Sequence, residues 1–384
     1  MNLQIDRDYL VQTMVDLVRI NSTNPSLSPD GAGEVEIGAY VADALNDLGL
    51  EVTTYDLGPK RVNVVGRLAG KGNGRSLLLN AHMDTVGVAG MTDPFSAEIR
   101  DGKLYGRGSQ DMKGSLAAQI AAAKALVDAG VELAGDLWVT AVADEEFLSI
   151  GSDDLVKHVR ADAAIVTEPT DLHICRAHRG FIWYDVETFG RAAHGSRYAE
   201  GIDANMRMGR FLAQLDYLEQ ELRARPPHPL AGPPSLHASR IHGGNEISIY
   251  AAHCKLEIER RTIPGETEAL ARAELQAIID QLASDPTFRA TVKATFLREP
   301  FEVAEDAAIV QALHQVTADR LNRQPQHSGQ TFWTDAAIFA QAGMETVLIG
   351  PIGQGLHSAE EWVDVQSVVD LAAILAETAV HYCQ

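Results

Sequence analysis

Apolar residues at positions 10, 11, 14, 15 and 18 recur at helical spacing, and a second amphipathic run over 34–48 repeats the pattern. The stretches "LEVTTYDL" and "RVNVVGRL" read as strands, and "LLLNAH" as a buried strand. In "FSAEIRDGKLYG" the pair Asp101-Gly102 predicts a hairpin turn. An alanine-rich helix over 114–128, a strand "DLWVTAVA", a short helix over 152–159 and a strand "DAAIVTE" follow. Helices alternating with strands imply an α/β unit, a mostly parallel mixed sheet with helices on both faces.

From about residue 180 the rhythm changes. The strand "FIWYDVETFG", a helix over 203–223, strands "SLHASRI" and "AAHCKLEIERR", a helix over 266–284 and a strand "FRATVKATFL" give the order β-α-β-β-α-β, a ferredoxin-like α+β unit. The Pro-rich loop "RPPHPLAGPP" interrupts it as exposed punctuation. Alternation then resumes with helices over 304–321 and 334–342, the strand "ETVLIG" and a last helix from Val365. The expected organisation is one α/β domain formed by 1–179 and 296–384, with 180–295 inserted as a second domain. A chain of 384 residues is long enough for two such cores.

The formal charge of -21 disfavours nucleic acid and anionic membrane surfaces as partners. The first twenty residues mix acids with apolar side chains, unlike a secretory leader, and no stretch is long and apolar enough to span a bilayer. Cys175, Cys254 and Cys383 lack metal or redox spacing. A cytoplasmic protein is the expectation.

Ligands of open α/β sheets bind beyond the carboxyl ends of the strands. Those ends carry a particular chemistry here. "LLLNAHMD" delivers His82 and Asp84, "WVTAVADEE" delivers Glu145 and Glu146, "AAIVTEP" delivers Glu168, and "VLIGPIGQGLH" leads to His357. The loop "YGRGSQDMKG" presents Asp111 just before a helix. Carboxylates gathered in a dry cleft repel one another, so several ionised acids are tolerable there only around cations. Asp111, Glu146 and Glu168 with neutral His82 and His357 carry three negative charges, which two dications and a shared hydroxide would balance. Imidazole and carboxylate ligands without thiolate suit zinc, with cobalt or manganese as competitors.

Asp84, two residues beyond His82 on a strand, shares its face and can orient the imidazole. Neighbours at a strand end diverge, so Glu146 is read as the ligand and Glu145 as a free carboxylate able to move protons. Alone, "HMD" fits an ordinary polar cluster as well, and "DEE" a solvated helix start. The loop around Asp111 lacks the third glycine of a dinucleotide fingerprint and the Gly-Lys-Ser/Thr order of a phosphate loop. His194, among small residues on the loop after the inserted domain's first strand, is placed to be exposed.

Taken together, "NAHMDTV", "YGRGSQDMKGS", "ADEE", "TEPT", "GRAAHGS", "RTIPGE", "TDAAIFAQAG" and "GLHSAEEWV" resemble the dinuclear-zinc family of acetylornithine deacetylase, succinyl-diaminopimelate desuccinylase, aminoacylase and glutamate carboxypeptidase. The resemblance implies one ion on His82 and Glu168, another on Glu146 and His357, and Asp111 with a hydroxide bridging both. It implies that Asp84 orients His82 and that Glu145 is the general base. The inserted domain becomes a lid and dimerisation domain, from which His194 reaches the partner subunit's site and holds the oxyanion. Arg261 of "RTIPGE" is similar to the arginine that grips a substrate carboxylate. Where relatives commonly read Asn-Val-Ile-Pro, this chain has "SIYA" from Ser248 to Ala251, and Glu168 stands where some aminopeptidase relatives have Asp. The expected activity is metal-dependent hydrolysis of an N-acyl amino acid by a metal-bound hydroxide in a homodimer, as in acetylornithine deacetylase. A carboxypeptidase or dipeptidase of the same family is the alternative. From another class, a small-molecule binding protein without catalysis would have no use for Glu145.

Overall fold

The computed structural model describes residues 3–88 and 90–384. The chain folds into two compact units, one formed by Met1–Arg176, Val303–Ser328 and Thr334–Gln384, the other by Ala177–Glu302 and Gly329–Trp333.

The first unit is built on a mixed sheet whose strands run in the order Glu51–Asp56, Val62–Leu68, Leu137–Val142, Leu77–His82, Ala163–Val166, Glu345–Leu348 and Ile174–His178. The pairings from Leu137–Val142 through Glu345–Leu348 are parallel, and those flanking them are antiparallel. Every residue of Leu77–His82 and Ala163–Val166 is buried, as befits parallel strands covered on both faces. Helices Gly114–Asp128, Val365–Tyr382, Arg7–Arg19 and Ala308–Leu321 pack with one another, and Ile150–His158 packs with Ala336–Gln341. Caps fix where several of these begin. Asp6 accepts the N–H of Tyr9, and Asp364 that of Ser367, so each carboxylate satisfies an otherwise unpaired helix-start donor.

Several boundaries differ from the sequence expectation. The helix expected from 304 starts at Ala308, after a turn in which Ala307 N–H bonds to Ala304 O. The strand Ile174–His178 carries an arginine and a histidine and was not expected. Its other four residues are buried, and Arg176 bonds with His327 Nδ1 and the Glu305 carboxylate. The hairpin at Asp101-Gly102 forms, with φ of 50° and 76° at those residues, the left-handed pair that such tight turns require. It is widened by Trp362–Asp364 and Gly353–Gln354 into a small antiparallel sheet.

The second unit is an antiparallel sheet in the order Ser235–Gly243, His253–Thr262, Gly180–Phe189 and Arg289–Arg298, with helices Ala204–Ala224 and Glu268–Leu282. This is the ferredoxin-like arrangement. Alternate residues of Gly180–Phe189 are buried, so Ile182, Tyr184 and Val186 form a core with Phe211, Leu215, Leu256 and Leu275. The strand Ser235–Gly243 is an open edge, exposed from His237 onward.

Leu79 lies at the middle of the parallel strand that ends in His82 and is fully buried. Replacing it with alanine should lower stability by about 2–5 kcal/mol, because the surrounding strands cannot collapse into the cavity. Urea unfolding followed by circular dichroism measures this; an unchanged midpoint would contradict the packing described.

Candidate metal centre

Neighbouring strands of the parallel sheet deliver one set of side chains from their carboxyl ends. Leu137–Val142 leads to Glu145 and Glu146, Leu77–His82 ends in His82, and Ala163–Val166 leads to Glu168. Beyond Glu345–Leu348 the chain runs to His357, which takes a left-handed φ of 57°. Asp111 comes from the turn Ser109–Lys113, at φ -121° and ψ 89°, outside helical geometry. These residues lie far apart in sequence and meet because a parallel sheet gathers like ends of its strands on one rim.

The imidazole Nε2 of His82 lies 3.0 Å from Asp111 Oδ1 and 3.8 Å from Glu168 Oε1. His357 Nε2 lies 3.0 Å from Glu146 Oε2 and 3.4 Å from Asp111 Oδ2. Asp111 therefore presents one oxygen to each imidazole. Ligand atoms of His82, Glu145 and Glu168 fall within 4.8 Å of one another, as do those of His82, Asp111 and Glu146. Glu145, read from the sequence as a free carboxylate, thus lies within ligand distance of His82 and Glu168.

Electrostatics at this rim are frustrated. Burial and the charge of Glu168 push the Glu145 carboxyl well above its usual range, and burial and Asp111 do the same to Glu168. Burial and Asp111 raise Glu146 to about 7. Hydrogen bonds to Asp111 and Glu146 raise His357 to about 10. Burial opposes a charge on His82, but its contacts with Asp111 and Glu168 outweigh it and raise its pKa well above the usual imidazole value. Burial also opposes a charge on Asp111, yet hydrogen bonds from His357 and His82 hold its pKa below the ordinary range. Glu146 Oε1 is buried with no hydrogen-bond partner among the described residues. An orphaned carboxylate oxygen among imidazoles and mutually repelling acids is a donor set that fits divalent cations.

The surroundings hold these groups in place. The main-chain carbonyl of Asp84, 2.9 Å away, is the nearest partner of His82 Nδ1, and the Asp84 carboxylate stands at 3.6 Å. That carboxylate accepts instead the backbone N–H groups of Glu145 and Glu146, at 3.0 and 3.2 Å. Asp84 thereby fixes the loop that carries both glutamates. Asn24 Nδ2 bridges Asp84 and Asp144, and Arg61 joins Asn24, Asp144 and Glu34 in a buried network. Burial and the nearby Asp84 raise Glu34 to about 8. A second buried pair, Arg107 and Glu361, holds the turn of Asp111. Sequence reasoning passed over Asn24, Arg61, Arg107 and Glu361. An arginine inside a glycine-rich loop and a second acid directly before Trp362 were the available signals.

In the second unit His194 is exposed. Its Nδ1 lies 2.8 Å from Ser196 Oγ and accepts the Ser196 N–H at 3.3 Å, which leaves the proton on Nε2. Arg261 donates from Nε to Glu259 Oε1 at 2.6 Å, and its guanidinium covers the ring of Phe181 at 5.2 Å.

Comparison with known proteins agrees with this architecture. The model of peptidase family M20/M25/M40 matches residues 78–381. Acetylornithine deacetylase of Myxococcus xanthus is 30% identical over 97% of each chain. N-formyl-4-amino-5-aminomethyl-2-methylpyrimidine deformylase of Bacillus subtilis is 26% identical over 97% of this chain and 95% of that one. Among solved structures, aminopeptidase PepT of Bacillus cereus superposes with a TM-score of 0.82 at 20% identity, covering 99% of this chain and 100% of its own. A dinuclear metal binding peptidase of the M20 family from Bacillus subtilis superposes with a TM-score of 0.75 at 17% identity, over 97% of each chain. The chain is a member of peptidase family M20/M25/M40, a hydrolase of amide bonds.

Proposed function

We propose that the protein removes the acyl group of an N-acyl amino acid, with an acetylated substrate first in line. The observation that carries this reading is the meeting of His82, Asp111, Glu146, Glu168 and His357 on one rim with Glu145 beside them. The acetylornithine deacetylase relative supports the choice of acyl group. His82 and Glu168 would hold one ion and Glu146 and His357 the other, with Asp111 shared. Zinc suits these ligands best, and cobalt or manganese can replace it.

Divalent ions held there supply Lewis acidity toward the scissile carbonyl and bring the pKa of water down to about 7. Glu145 accepts the proton of the attacking water and returns it to the leaving amine nitrogen. His194 donates from Nε2 to the developing oxyanion of the partner subunit's substrate, and Arg261 pairs with the substrate carboxylate. The open strand Ser235–Gly243, with Ile241 exposed, supports a homodimer formed through the second unit. The three cysteines are all buried, which supports a reducing, cytoplasmic setting.

A panel of acetylated amino acids, succinylated amino acids and dipeptides, assayed for amine release with Zn2+ or Co2+, tests the reading. Acetylated substrates should turn over fastest, and activity should vanish on chelation and return on adding metal; release from dipeptides alone would make the protein a peptidase. Glu145→Gln should lower kcat by about 10²–10⁴-fold while metal binding, measured by calorimetry, stays near that of the parent. Unchanged kcat would remove Glu145 from the proton path. Mixed dimers that pair a His194→Ala chain with a Glu145→Gln chain should regain activity in one of their two sites, whereas inactive mixed dimers would rule out a role for His194 across subunits.

A further inference from the structure

Asp111 does not hold its own position. Its backbone departs from helical geometry, so the regular ladder of the helix that follows does not fix it. Its N–H instead donates to Glu361 Oε1 at 3.1 Å, and the N–H of Gln110 donates to the same oxygen at 2.9 Å. The other oxygen, Oε2, accepts from Gly108 N at 3.0 Å and from Arg107 Nη1 at 2.6 Å. Four donors thus converge on one carboxylate that is 1% exposed. Arg107 extends the clamp, donating from Nε to Gly87 O at 3.1 Å and from Nη2 to Ser358 O at 2.9 Å. The segments tied together are those that carry His82, Asp111 and His357.

We infer that Glu361 is a positioning residue that sets where the Asp111 carboxylate sits between His82 and His357. The inference rests on the metal reading proposed above. Asp111 aims Oδ1 at His82 and Oδ2 at His357, and a side chain that short can serve both only if its backbone is held. Glu361 follows His357 by four residues, so one stretch of chain supplies an imidazole and also fixes the carboxylate that imidazole faces. Only a carboxylate meets the geometry. The amide of a glutamine keeps one acceptor oxygen and turns an NH2 group against two of the four donors, leaving buried groups opposed.

The test loads the full-length protein with Mn2+, follows binding by calorimetry and records electron paramagnetic resonance at two equivalents. In the parent, two ions should bind and share a spin-coupled signal through Asp111. Glu361→Gln changes no ligand, yet it should weaken one equivalent at least tenfold and replace the coupled signal with that of isolated Mn2+. Glu361→Asp keeps the charge and should recover part of the coupling, and it serves as the reading if the glutamine variant does not fold. Glu360→Gln, at an exposed neighbour, should match the parent. Coupling and affinities in Glu361→Gln equal to the parent's would overturn the inference alone. The same loss in Leu79→Ala, which only loosens the core, would also overturn it by making the effect general. A parent that binds no pair of ions would overturn the metal reading itself.

Discussion

Repulsion among buried acids is the constraint on which the site depends. Asp84, Asp111, Glu145, Glu146 and Glu168 lie together at one sheet rim, where the imidazoles of His82 and His357 face them. The protein divides the problem by role. Asp84 is satisfied by backbone N–H groups and by Asn24, so its charge is bound into the fold. Glu145, Glu146 and Glu168 are crowded by neighbouring carboxylates, and burial raises the pKa of each despite the imidazoles nearby. Mutually repelling buried carboxyls of this kind are the donor type that the proposed metal reading requires.

Much of this was legible in the sequence, for identifiable reasons. Fully buried parallel strands need unbroken apolar runs, so "LLLNAH" and "AAIVTE" identify themselves, and polar residues directly after such runs stand at the rim. The inserted unit showed itself through alternation, since one face of its sheet is covered and the other is not. The strand Ile174–His178 was hidden because its arginine is satisfied by residues more than a hundred positions away, which local pattern cannot register.

The supports of the site were hidden for the same reason. Glu361 and Arg107 are separated by more than two hundred residues and resemble ordinary surface charges in sequence, yet they form a buried pair. Arg61 is similar, joined to Glu34 and Asp144 inside the fold. Candidate ligands are suggested by their chemistry and their place after a strand. The groups that aim them depend on tertiary contact alone. Asp84 shows the difference: its spacing from His82 suggests a partner for the ring, whereas its carboxylate is occupied with holding the following loop.

Arg61 and Arg107 also bear on the order in which the parts of the rim are made. His82 precedes His357 by more than two hundred residues, so all five acids of the rim are synthesised before the second imidazole. Arg61 precedes its partner Asp144 by 83 residues, whereas Arg107 precedes Glu361 by 254. The clamp on Asp111 therefore needs a residue that is made after every carboxylate of the rim.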